Sequence, residues 1–253
     1  MTQNFETQKP DEYAPGPDLR SYGRRHGRRL SLRQERLWQG VLSRVAVDLA
    51  KPLERGSGEI WLEIGFGGGE HLVWQAARNP GVLLIGAEPF RDGVIKVLDR
   101  IEAEGLGNIR LHADDVRPLL RWLPAGCLTR VFILFPDPWP KKRHVKRRLV
   151  AGRLFALLFR VMAPGAELRI STDIGDYART MLLALREHRG FVWQATGPED
   201  WRSRGSDWPA TRYEGKAIAE GRRCYFFRFR KIAPKPPQFA CAARHDPVIK
   251  KCS

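Results

Sequence analysis

None of the four cysteines (Cys127, Cys224, Cys241, Cys252) stands in a Cys-x-x-Cys pair, which removes the usual redox and zinc motifs. At 253 residues the chain can bury a core without disulfide staples, so these side chains read as reduced thiols and no metal is expected. No apolar run approaches the roughly 18–20 residues that span a bilayer. The N-terminus is polar and acidic rather than apolar, so no secretory leader is read there and a cytoplasmic, non-membrane protein is expected. No internal repeat occurs. Negative charge is also short: 28 Asp and Glu stand against 44 Lys and Arg, giving a net charge of +16. That imbalance favours an anionic partner, nucleic acid ahead of an acidic membrane surface.

What is present is an alternation of short apolar runs with helix-spaced segments. Strands are expected at 59–64, 82–87, 108–111, 130–135, 167–171 and 191–195, with a last one at 224–230. Helices are expected at 31–50, from Glu70, at 90–104, 116–122, 145–161 and 176–188, while 197–221 reads as an irregular connection. Such alternation predicts an α/β fold with a doubly wound, mostly parallel sheet. The expected organisation is a basic flexible arm over 1–30, one domain over 31–232 and a flexible, proline-bearing tail over 233–253. Seven arginines between positions 20 and 36 make the arm a candidate for phosphate contact. Trp38, on the helical apolar stripe, is assigned to the core.

The first strand ends in Gly65-Phe66-Gly67-Gly68-Gly69, a turn that lets a ligand reach backbone and a helix N-terminus. It is not a dinucleotide fingerprint, because the third glycine position holds Glu70, and it lacks a Walker lysine. Glu63, two residues before Gly65, would repel a pyrophosphate. A cationic ligand with a ribose and no phosphate suits the turn better, and S-adenosylmethionine has those features. Glu88, ending the second strand, is placed to accept from ribose hydroxyls. Asp114, after the third, is placed to accept from an adenine amino group. Three acids at successive strand ends, with glycines at Gly65 and Gly67, form the candidate donor site.

The fourth strand runs into Pro136-Asp137-Pro138-Trp139-Pro140. The prolines stop the strand and stiffen the backbone on both sides of Asp137. Six Lys and Arg follow within eight residues: Lys141, Lys142, Arg143, Lys146, Arg147 and Arg148. An acid, an aromatic plate and a basic block at a strand's C-terminal end suggest chemistry on a base within a polyanion. Trp139 has two open roles, stacking on a base or capping the sheet edge. The basic block, expected at a helix start where positive charge opposes the macrodipole, is assigned to phosphates.

Leu62 to Gly69, Phe135 to Arg148, Ser171-Thr172-Asp173, and Thr211-Arg212-Tyr213-Glu214-Gly215-Lys216 with Gly221 together resemble the bacterial tRNA (guanine-N7)-methyltransferases over about residues 55–231. The resemblance implies a class I methyltransferase fold of seven strands, one antiparallel, and methyl transfer from S-adenosylmethionine to N7 of a guanine in the tRNA variable loop. It implies cofactor contacts at Glu63, Glu88, Asp114 and Asp137, with Asp137 catalytic. It implies substrate contacts at Lys141, Asp173, Thr211, Arg212, Tyr213 and Glu214. Pro140 departs from the family's polar preference, and the tail after 232 lies outside the match. The alternatives are an exocyclic-amino RNA methyltransferase, a non-catalytic RNA-binding protein on the same fold and, disfavoured by the glycine spacing, an NAD oxidoreductase.

Overall fold

The computed structural model describes residues 23, 25–27, 29–54 and 56–232; most of the expected arm and all of the tail after 232 lie outside the described residues. Seven strands form one sheet in the order β3-β2-β1-β4-β5-β7-β6. These are β1 (Ile60–Ile64), β2 (Leu83–Ala87), β3 (Ile109–His112), β4 (Leu128–Leu134), β5 (Met162–Thr172), β6 (Phe191–Trp193) and β7 (Tyr225–Lys231). Pairing is parallel from β3 through β5, and β7 runs antiparallel to both its neighbours, as the seven-stranded expectation has it.

The two faces carry separate cores. β1 is buried at all five positions, because parallel strands are covered on both sides. Leu62 and Ile64 point into the layer built with α5 (Val116–Trp122), α6 (Gly152–Val161) and α7 (Gly175–His188). Trp61 points the other way, to α3 (Glu70–Arg78), α4 (Arg91–Glu104) and the N-terminal helix, and by strand alternation so does Glu63. The chain leaves β1 towards β2 and β3, then returns to lay β4 on the opposite side of β1. This reversal opens a crevice beyond the C-terminal ends of β1 and β4, where open α/β sheets receive ligands.

Several expected elements differ. The helix expected over 31–50 is α1 (Leu32–Arg36), a π-helical turn (Leu37–Val41) and α2 (Leu42–Val45). It stops at Val45 because Ala46 turns extended and Val47 N–H donates to the Leu111 carbonyl. Trp38 is half-buried against the α4-side core, as assigned. The helix expected over 145–161 is two pieces, a 3-10 turn (Lys142–Arg147) and α6, so the basic block does not sit on an α-helix N-terminus and the macrodipole argument does not apply. The Pro164-Gly165 turn lies inside β5, where pairing jumps from Leu128–Met162 to Arg130–Glu167 and Gly165 takes φ +79°. The connection 197–221 contains α8 (Glu199–Arg202) and α9 (Arg212–Ala219).

Candidate active site

A cavity of about 380 Å³ fills the crevice between the ends of β1, β2 and β4. The glycine turn forms its floor. Gly65, Gly67 and Gly69 all take positive φ, which lets the backbone bend under the ligand space before α3 begins. Gly93 of α4 packs on this turn so closely that a Cβ there would stand 2.2 Å from the Gly67 carbonyl oxygen.

Five carboxylate residues line the cavity, Glu63, Glu70, Glu88, Asp115 and Asp137, and Glu63, Glu88 and Asp137 stand at the ends of β1, β2 and β4. Glu63 is 4% exposed, and its Oε2 accepts from His71 Nδ1 at 2.7 Å. Glu88 ties the β2 end to the glycine turn, accepting Gly67 N–H at 2.8 Å on Oε2 and Phe90 N–H at 2.9 Å on Oε1. Each oxygen keeps a lone pair for a ligand hydroxyl. Burial pushes the Glu88 carboxyl above its ordinary range; the two N–H groups oppose this, and the negative charges of Asp137 and Glu63 add to it. Asp137 remains exposed as a residue, and shielding by the cavity wall raises its carboxyl as well. A site with this much negative potential fits a cation and disfavours a phosphate.

Asp137 sits on a strained turn. Phe135 (φ +50°) and Trp139 (φ +43°) are both non-glycine residues in left-handed backbone. Each such residue costs on the order of 1–3 kcal/mol, and such strain clusters at functional sites. What holds the turn is Arg148, whose side chain is 3% exposed. Its Nε donates to the Pro138 carbonyl at 2.8 Å, its other nitrogens to Thr180 Oγ1 and Asp176 Oδ2, and its plane lies over the Tyr177 ring. Arg148 is therefore a structural clamp, against its assignment to phosphates. Lys141, Lys142, Arg143 and Lys146 are exposed, as a phosphate-contacting block requires. Trp139 stands between His144, edge-on at 5.8 Å, and the Arg147 guanidinium, 5.0 Å from its centroid, and borders the cavity.

The opposite wall is Thr211 and Tyr213. Thr211 Oγ1 caps α9 by accepting Glu214 N–H, and the Tyr213 ring lies over Gly67. Glu214 is buried against Arg204, and Asp173 accepts from Arg222 Nε at 2.7 Å; both acids are engaged in ion pairs, and neither lines the cavity. Arg212 is exposed beside Tyr213. Of the third-strand acids, Asp115 borders the cavity and Asp114 does not. Asp115 caps α5 and pairs with Arg117, while Asp114 accepts from Arg25 at 2.8 Å. That ion pair, with Arg91 N–H donating to the Arg25 carbonyl, lays the end of the N-terminal arm on the rim, where Gly23 joins the wall. Sequence reasoning missed His71 and misassigned Arg148. A buried strand-end carboxylate demands a partner, but nothing in the spacing says that it comes from the next helix. Among the described residues no group of three metal-ligating side chains comes together, and no helix is long and apolar enough to cross a membrane.

A family described as "Putative methyltransferase" matches residues 57–227. The chain is 46% identical over 228 residues to a tRNA (guanine-N(7)-)-methyltransferase of Rhodospirillum rubrum, covering 86% of this chain and 89% of that protein. It is 50% identical over 195 residues to a protein of the same name from Ruegeria pomeroyi, covering 77% and 81%. A third, from Hyphomonas neptunium, is 46% identical over 220 residues, covering 84% of this chain and 100% of that protein. Among solved structures, the 16S rRNA methyltransferase KamB superposes with a TM-score of 0.50 at 13% identity, covering 69% of this chain and 88% of that one, a likeness of fold.

Proposed function

Because the chain belongs to the family of tRNA (guanine-N7)-methyltransferases, we propose that it transfers a methyl group from S-adenosylmethionine to N7 of a guanine in the tRNA variable loop, in the cytoplasm. The observation that carries the reading is the convergence of Glu63, Glu88 and Asp137 on one cavity at the sheet's crevice, with Trp139 and an exposed basic turn at its side. The bound donor supplies an electrophilic methyl on a sulfonium. Glu63 and Asp137 would hold its cationic end, the Glu88 oxygens would accept from its ribose, and the glycine turn leaves room for both. Asp115, which borders the cavity, is a better neighbour for the adenine than Asp114.

Guanine N7 has an in-plane lone pair and no proton at neutral pH, so no general base is required. The bound donor would supply its methyl to that lone pair, sulfur keeping the electron pair of the bond that breaks, and the ring would be left cationic. Asp137 is the catalytic residue in this reading: it accepts from the guanine N1–H and amino edge and opposes the positive charge on the ring. Trp139 and Tyr213 offer the base its flanking faces, Lys141 and the basic turn meet phosphates, and Thr211 and Arg212 border the entering nucleotide. Asp173 and Glu214 contribute by holding the substrate-side wall through Arg222 and Arg204.

The test is methyl transfer from labelled S-adenosylmethionine to unmodified tRNA, with the product nucleosides separated. N7-methylguanosine is the expected product, and Asp137→Ala is expected to lose about a hundredfold or more in turnover, the scale of a lost electrostatic group, while still binding tRNA. Another methylated nucleoside, or near-normal turnover in that variant, contradicts the assignment.

A further inference from the structure

Between Glu63 and the substrate-side wall runs a polar chain, buried at Glu63, His71 and Gln75, that no role described so far requires. Glu63 Oε2 receives His71 Nδ1 at 2.7 Å, His71 Nε2 lies 3.1 Å from Gln75 Nε2, and the same Gln75 nitrogen donates to the Asp207 carbonyl at 2.9 Å. The amide is held one way round, because Gln75 Oε1 accepts from Asn79 Nδ2 at 3.1 Å. Both Nε2 hydrogens are then used, one on His71 and one on Asp207. His71 Nε2 must accept, which leaves its proton on Nδ1, facing Glu63. His71 and Gln75 are each 2% exposed, and their four-residue spacing on α3 puts them on one helix face.

Asp207 is fixed from its other side as well. Its carboxylate accepts from Arg169, which is 1% exposed and lies between the Phe132 and Trp208 rings. Four residues after Asp207 comes Thr211, the cap of α9, and then Tyr213 over Gly67. The backbone of the substrate-side segment is thus anchored on a glutamine whose other hydrogen orients the imidazole on the donor-side carboxylate. We propose that Gln75 is a positioning residue that couples the two ends of the site, so that a donor held at Glu63 sets the placement of the segment carrying Thr211 and Tyr213 for tRNA. This rests on the reading of Glu63 as a donor-site carboxylate. Coupling follows because the chain has no spare hydrogen: a shift of the imidazole with Glu63 must move the amide, and the amide holds the Asp207 carbonyl.

The experiment measures tRNA affinity with and without saturating S-adenosylhomocysteine, which occupies the donor site and cannot react. In the natural protein the ratio of the two affinities is expected to be about tenfold, within the usual range of coupling between sites. Gln75→Met, of similar length and unable to donate, is expected to bring the ratio to within about twofold of one. His71→Asn keeps a donor for Glu63 and loses the contact to Gln75; it is expected to do the same while S-adenosylhomocysteine affinity changes little, and it carries the test where Gln75→Met does not fold. A purely structural role would weaken both affinities together and leave their ratio alone. A natural protein with a ratio of one, or a folded variant that keeps the natural ratio, overturns the proposal. If the natural protein binds no S-adenosylhomocysteine, the donor-site reading fails first and the coupling fails with it, which separates the two outcomes.

Discussion

Arg148 is where counting charges and packing them part company. By sequence it is one of six cations in a row; in the fold it is the one that keeps the Asp137 turn in a strained backbone. Replacing it with methionine leaves the Pro138 carbonyl without its donor, and a stability loss of about 2–3 kcal/mol is expected. Turnover should fall at least tenfold, and chemical denaturation with single-turnover kinetics would check both. Glu88 and Asp137 make a second residue-scale prediction. Burial and shielding raise both carboxyls, while in the proposed reading the ionised forms serve the donor, Glu88 as acceptor for its ribose and Asp137 as countercharge to its cationic end. The acid limb of kcat/KM for the donor should therefore lie above the ordinary carboxylate value of about 4.3. The sign for folding is opposite: raised carboxyls favour the folded protein when protonated, a contribution lost as pH rises through their folded values. Acidification through that window should weaken donor binding before it weakens the fold, as titration calorimetry and thermal melts across pH would show. The placement of Glu63, Glu88 and the Asp137 turn at the cavity was legible in the sequence because strand ends and prolines mark them, whereas Asp114, Asp173 and Glu214, also read as site acids, pair with arginines outside the lining. His71, Gln75 and Asp207 were not, because their roles depend on which helix face meets which loop.

Among elements, the strands were the most readable, since each covered strand is a short continuous apolar run between turn residues. α9 was missed although its start is written plainly: Thr211 and Glu214 stand in the spacing of a capping box, but Gly215 and the short length hide the helix. The 3-10 turn was missed for the opposite reason, because Val145 to Val161 keeps an apolar stripe across a break at residues 148–151. The element contact with the clearest consequence is α4 against the glycine turn. Gly93→Ala would place a methyl carbon 2.2 Å from the Gly67 oxygen, and backbone cannot yield as a side-chain tip does. We expect a loss of about 1–3 kcal/mol in stability and a weaker hold on the donor, with the Gly67–Glu88 bond displaced; calorimetric binding of S-adenosylhomocysteine would measure it.

For the whole molecule, the dominant property is the charge of +16, with an exposed basic turn beside a cavity of negative potential. The two binding events should respond to salt in different ways. With six or more phosphates neutralised, tRNA affinity should drop by about a thousandfold or more between 50 and 200 mM salt, whereas S-adenosylhomocysteine affinity should hardly move. Lys141→Ala should shallow the tRNA slope by about one, and Arg148→Met should leave it unchanged. Filter binding across a salt series separates these cases, and a flat tRNA slope would refute the polyanion reading altogether.

The π-helical turn at Leu37–Val41 bears on how the arm is aimed. Leu42 N–H reaches back five residues to the Leu37 carbonyl, and Leu37 and Val41 are both buried on the α4 side. One extra residue is thus wound into a single turn. An α-helix advances about 100° per residue, so removing that residue would turn everything before it by more than a quarter of a revolution. Arg33 would swing away from Asp99, and the strand of backbone that Arg25 lays on the cavity rim would arrive from another side. The direction from which Arg25 and the described residues before Leu37 meet the rim is set, like the phase of a screw thread, by one inserted residue.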